Sequence, residues 1–159
     1  MANVDWKQDR IGSALLGENP MVIAEMKSGF AVIGDTQFLP GYCVLLPSRN
    51  VGSLHELSYK QKSEYLLDMS LLGDAIQTAL NPRRINYSIY GNTDAFLHAH
   101  VFLRYEWESE RRKYMPVWQY PKEMWSDAQH QYSVDEHGAL REKIRVHLLE
   151  LVKEAYKET

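Results

Sequence analysis

Cysteine is nearly missing from this sequence: Cys43 is alone among 159 residues, so no disulfide can form within the chain. That fits a reducing compartment, and the apolar run Tyr42-Cys43-Val44-Leu45-Leu46 predicts a buried thiol. Long apolar runs are missing too. No stretch approaches the about 18 residues that span a bilayer, and Met1-Ala2-Asn3-Val4-Asp5-Trp6-Lys7 lacks the apolar centre of a secretory signal. The expectation is a soluble, cytoplasmic protein with no membrane partner. There is no basic excess either: 18 Lys and Arg stand against 21 Asp and Glu, for a net charge of −3. This argues against a general nucleic-acid binder, which needs surplus positive charge. It leaves room for a small anionic ligand held by a few local donors. Repeats, low-complexity tracts and obvious linkers are absent. With 45% hydrophobic and 25% charged residues, the chain reads as one globular domain over 1–159.

Aromatic residues are plentiful. Ten Tyr and four Trp are enough to line a ligand cleft or a subunit interface. Apolar spacing predicts a short helix over 4–16, with Trp6, Ile11, Leu15 and Leu16 as core contacts. Strands follow at 21–26, 30–34 and 42–46, the last entered through a Pro40-Gly41 turn. Ser58 and Gln61 have capping-box spacing and open a long helix over 58–80, which Asn81-Pro82 ends. Its core stripe is Tyr65, Leu66, Met69, Leu72, Gly73, Ile76 and Leu80. A strand at 84–90 returns through Gly91-Asn92-Thr93-Asp94 into another at 96–105. Glu106 to Lys113 reads as solvated surface, and the aromatics of Pro116 to Pro121 either cover a cleft or pack as a loop. A stripe from Leu140 to Ala155 marks a C-terminal helix. Dominant hairpins make this an α+β fold: a largely antiparallel five-stranded sheet with a long helix and a C-terminal helix packed on it.

The chemistry concentrates in Phe96-Leu97-His98-Ala99-His100-Val101-Phe102-Leu103-Arg104. Strand side chains alternate between faces. Leu97, Ala99, Val101 and Leu103 form an apolar face, and Phe96, His98, His100 and Phe102 share the other. Two imidazoles at i, i+2 are a weak signal alone, and a pair of structural histidines is the plain alternative. Arg104 reads as structural or at the cleft edge.

His98-Ala99-His100-Val101-Phe102-Leu103-Arg104 resembles the end of the histidine triad (HIT) signature, His-φ-His-φ-His-φ-φ followed by Pro-Arg. Asp35 through Pro47 is similar to the loop and strand of that family, and Ser53 to Ser58 to its helix entry. The resemblance covers about 20–105, with 106–159 as an elaboration. Three departures stand out. Phe96 occupies the first triad position, Tyr42 replaces the histidine after Pro-Gly, and the loop before the triad is short and lacks a Gly-Gln-Ser/Thr element. Phe96 and Tyr42 could form a compensating aromatic pair, which predicts contact between them.

The resemblance implies hydrolysis or transfer of a nucleotidyl group at an α-phosphate. His98 would be the nucleophile and His100 a donor to a phosphate oxygen. It also implies Asp35 and Gln37 at the ribose, Asn86 at phosphate or sugar, Asn92 and Thr93 at the leaving group, and a homodimer. Two alternatives remain: a nucleotide-binding module that has lost catalysis, and a metal-dependent hydrolase. His98 and His100 with a carboxylate could hold Zn²⁺, but no further ligand lies at the usual spacing, so no metal and no cofactor are expected.

Overall fold

The computed structural model describes residues 5–157. Met1 to Val4, the first four of the residues read above for a leader and including the first residue of the 4–16 helix, lie outside them. A short helix α1 (Arg10–Leu15) leads into strands β1 (Val22–Glu25), β2 (Gly29–Ile33) and β3 (Cys43–Pro47). The long helix α2 (Tyr59–Leu80) follows, then β4 (Arg84–Ile89) and β5 (Ala99–Arg104). Two one-turn helices, α3 (Glu110–Lys113) and α4 (Lys122–Ser126), precede the C-terminal helix α5 (Val134–Ala155). The five strands form one sheet in the order β1-β2-β3-β5-β4, every neighbouring pair antiparallel. This is the expected α+β architecture. Among the described residues no helix is long and apolar enough to cross a membrane.

Local signals explain why the elements start and stop where they do. Ser58 accepts from the Gln61 amide and Gln61 returns a bond from the Ser58 amide, so the capping box is complete. Asn81 closes α2 in the left-handed region at φ 48°, and Pro82 cannot continue it. Gly41 turns the chain into β3 at φ 97°, where a side chain would be strained.

β5 follows the alternation rule. Ala99, Val101 and Leu103 are fully buried in the main core with Leu45, Leu72 and Ile76. A second, smaller apolar cluster gathers around Phe102, with Tyr42, Phe38, Leu39 and Val117. Cys43 is buried in the main core, and burial raises its thiol far above the ordinary range.

Several expectations are corrected. α1 is shorter than 4–16; it buries Ile11, Ser13 and Ala14, and Leu15, its last residue, and Leu16, its C-cap, are exposed because they turn away from that stripe. Leu66 is also exposed, because α2 presents Leu71, Leu72, Ala75 and Ile76 to the core. β5 begins at Ala99 rather than 96, because its partner β4 ends at Ile89, opposite Ala99. Finally, the 106–113 stretch is not uniformly solvated: the Glu108 side chain has no exposure and forms an ion pair at 2.9 Å with Arg104, itself 4% exposed.

That pair is the buried anchor of the 105–120 segment. Arg104 also donates to the carbonyls of Arg112 and Met115, and Glu108 accepts from the Tyr105 amide and the Tyr120 hydroxyl. Burial alone would raise the Glu108 carboxyl, but the bonds from Arg104, Tyr120 and Tyr105 hold it below the usual range. Glu108→Ala leaves a buried guanidinium without its carboxylate, so it should lose about 3–5 kcal/mol in urea unfolding at pH 7. A carboxyl depressed in the folded state stabilises above its unfolded value of about 4.3 and stops doing so as pH falls through the lower folded value. The gap between wild type and variant should therefore close in acid. An unchanged urea midpoint at pH 7 contradicts the assignment.

Candidate active site

The second face of β5 and of the chain entering it carries a row of rings. Phe96 and His98 have centroids 4.8 Å apart, His98 and His100 4.8 Å, and His100 and Phe102 5.7 Å. Strand alternation extends one turn of pleat before β5 begins, which is why Leu97 is buried between two half-buried rings.

The two imidazoles have different partners. His98 Nδ1 lies 2.7 Å from the carbonyl oxygen of Phe96. A carbonyl only accepts, so Nδ1 carries the hydrogen and the lone pair is on Nε2. His100 Nδ1 lies 2.7 Å from the Tyr42 hydroxyl. Burial, and then the neighbouring His98, lower the His100 imidazole to about 4, so it is neutral at pH 7. Tyr42 stacks on Phe102 at 4.1 Å, and Trp118 meets the edges of His100 and Phe102 at 5.0 and 5.4 Å. Trp118 in turn stacks on Trp125 at 5.1 Å.

In front of the histidines lies a cavity of about 630 Å³, within the range of small-molecule sites. Val32, Val44 and Leu46 form its apolar floor, and Trp118 and Trp125 one wall. The β4–β5 loop supplies Tyr90, Asn92, Thr93 and Asp94. At the opposite end Arg10, from α1, grips Asp35 with two hydrogen bonds of 3.0 and 2.7 Å. The hydrogen bond to Asp35 raises the Arg10 guanidinium above its already high ordinary value. The charged lining is thus one guanidinium against two carboxylates. Among the described residues, no group of three or more His, Cys, Asp or Glu side chains is placed to hold a metal ion.

Of the residues singled out in the sequence, His98, His100, Asp35, Asn92 and Thr93 come together around this cavity. Gln37 does not. It is buried, its amide donates to the carbonyls of Gly34 and Tyr42, and its oxygen accepts from the Gly41 amide; it braces the loop from within. Asn86 does not either. It pairs across the sheet with Phe102, beyond Trp118, and accepts from Arg104 in a separate cleft. Nor do Phe96 and Tyr42 form a pair: Tyr42 stacks on Phe102 and His100, while Phe96 packs on His98.

No family model matches the sequence, and no curated protein does. Solved structures do match. A histidine triad protein from Sinorhizobium meliloti 1021 superposes with a TM-score of 0.68 at 20% identity, over 84% of this chain and 93% of that one. The chain has the histidine triad fold. A hypothetical histidine triad nucleotide-binding protein from Sulfolobus tokodaii strain 7 gives a TM-score of 0.68 at 14% identity, covering 91% and 95%. Diadenosine triphosphate hydrolase of Plasmodium falciparum gives 0.58 at 13% identity, covering 82% and 77%.

Within this fold, sequence reasoning missed Arg10, Thr36, Tyr90, Trp118 and Trp125 as cavity residues. Only the proline-bounded aromatics around Trp118 carried a signal, as possible cover for a cleft. The loop that bears Asp35 is pinned from far along the chain: Tyr132 donates to the Asp35 carbonyl, and Thr36 bridges to Gln131. The Thr36 hydroxyl is buried there without a hydrogen-bond partner, the one buried side-chain polar atom among the described residues of which this is true. Thr36→Val removes this orphan and keeps the shape, so it should stabilise by about 1 kcal/mol. In a thermal melt that is a rise of about 2–4 °C; a fall would mean that the hydroxyl is satisfied.

Proposed function

We propose that the protein hydrolyses or transfers a nucleotidyl group at the α-phosphate of a nucleotide derivative, of the dinucleoside polyphosphate or nucleoside phosphoramidate type. The observation that carries this reading is the Phe96 carbonyl bond to His98 Nδ1, which leaves the Nε2 lone pair beside a nucleotide-sized cavity. A neutral imidazole is a competent nucleophile near neutral pH. His98 Nε2 attacks phosphorus, a P–N bond forms, and the bond to the leaving group breaks with its electron pair. The Phe96 carbonyl stabilises the positive charge that develops on the ring. Water then attacks phosphorus and gives up a proton through solvent to the departed group, the P–N bond breaks with its electron pair returning to Nε2, and the nucleoside monophosphate leaves with His98 restored. Such transfers need alignment and charge stabilisation above all.

His100 is in reach to donate to a non-bridging phosphate oxygen. Asp35, held still by Arg10, keeps lone pairs free for the ribose hydroxyls, with a side chain 37% exposed at the cavity end. The apolar floor suits a base, and Asn92 and Thr93 are available to the leaving group. The likeness in fold to a hypothetical nucleotide-binding protein and to a diadenosine triphosphate hydrolase supports the same reading. It extends to the chain acting as one domain and as a homodimer, on the family resemblance alone.

A second reading, binding without turnover, is favoured by one observation: the single guanidinium at the cavity is already committed to Asp35. Incubation with a fluorogenic nucleoside phosphoramidate and with a dinucleoside polyphosphate separates the two. Turnover is expected, with a nucleotide mass on the His98 peptide after acid-free quenching. His98→Ala should lower turnover by at least about a thousandfold while AMP binding persists. Wild-type turnover in that variant would discard His98 as the nucleophile, and no turnover of either probe would favour the binding module.

A further inference from the structure

We propose that Tyr42 is a positioning residue: its hydroxyl donates to His100 Nδ1 and fixes that ring as the tautomer presenting Nε2–H. The consequence for phosphate binding rests on the function proposed above; the tautomer assignment does not.

Tyr42 is held from several sides. Its ring lies flat on Phe102, with centroids 4.1 Å apart and planes 7° from parallel. Gly34 lies against the ring so closely that a Cβ there would fall 2.2 Å from Tyr42 Cδ1. The Tyr42 carbonyl accepts from the Gly34 amide at 2.8 Å and from Gln37 Nε2 at 3.0 Å. The hydroxyl therefore meets His100 Nδ1 at 2.7 Å by construction of the loop, and Gln37 acts on the site through this brace.

Two arrangements would give that distance. Either the phenol donates to a bare Nδ1, or Nδ1–H donates to the phenol oxygen. In the second, the phenol proton needs another acceptor, and among the described residues the Tyr42 hydroxyl makes no other hydrogen bond. A buried donor without a partner is costly, so the first arrangement is the favoured one. Loss of the phenol proton is no escape, because burial raises Tyr42 far above its ordinary value.

The neighbouring imidazoles then carry opposite tautomers. The Phe96 carbonyl accepts from His98 and leaves a lone pair on its Nε2; the Tyr42 phenol donates to His100 and leaves a proton on its Nε2. One ring is set to attack, the other to donate. A tyrosine does this with one proton and no added charge, in a cavity with little positive charge.

Long-range ¹H–¹⁵N spectra of the ligand-free protein at pH 7 test the assignment. His98 should carry its proton on Nδ1 and His100 on Nε2. Tyr42→Phe keeps the ring stack, so it should fold as wild type by circular dichroism. Its His100 Nδ1 resonance should move to the position of an acceptor without a hydrogen bond. Its kcat should fall by roughly 10- to 100-fold, as loss of an orienting partner does, with KM changed by less than about threefold. A His100 proton found on Nδ1, or a Tyr42→Phe variant with an unmoved His100 resonance or wild-type kcat, overturns the proposal. If no nucleotide is turned over, the spectra alone still decide the tautomers, so this inference and the proposed reaction fail separately.

Discussion

The two-residue period of the chain through β5 is the constraint from which the site follows. Ala99, Val101 and Leu103 are buried on the core side, together with side chains of α2. With that side committed to aliphatic packing, the other must carry Phe96, His98, His100 and Phe102 in line. A slip of one residue would bury both imidazoles in the core and expose four apolar side chains, so the register that stabilises the domain is also the one that aims the histidines.

What distinguishes two chemically identical side chains is the partner each finds. His98 meets a backbone carbonyl, supplied two residues earlier by the same extended segment. His100 meets a phenol, supplied by the turn before β3. Neither partner adds charge, and burial keeps His100 neutral. The cover is built separately. The Arg104–Glu108 pair anchors the chain after β5, and this chain then carries Trp118 and Trp125 across the histidine face. Stability and site are thus linked at Arg104, which lies on the same strand as His100.

The fold was legible where its determinants are local. Ser58 with Gln61, Asn81 with Pro82 and the alternation from Leu97 to Leu103 each act within a few residues, and each predicted feature is present. Strands β1 to β4 fall within a residue of their expected ends. The site was legible only in part, because its other members are set by long-range register. Arg10 reaches Asp35 across 25 positions, and nothing in either segment announces it. The sheet register carries Tyr42 to Phe102 and away from Phe96, which undoes the compensating pair. Gln37 has the residue type of a ligand contact, but its three side-chain hydrogen bonds are spent inside its own loop. Asn86 shares the histidine face of the sheet, yet Trp118 stands between it and the cavity.

Under the proposed reaction, His98 Nε2 faces phosphorus in a cavity that holds a nucleoside. A crystal structure of the protein with AMP tests it most directly. The proposed reaction requires the phosphorus about 3–3.5 Å from His98 Nε2, a phosphate oxygen at His100, and the ribose at Asp35. A phosphate bound away from both imidazoles, in the cleft lined by Arg84 and Lys113 for instance, would contradict it.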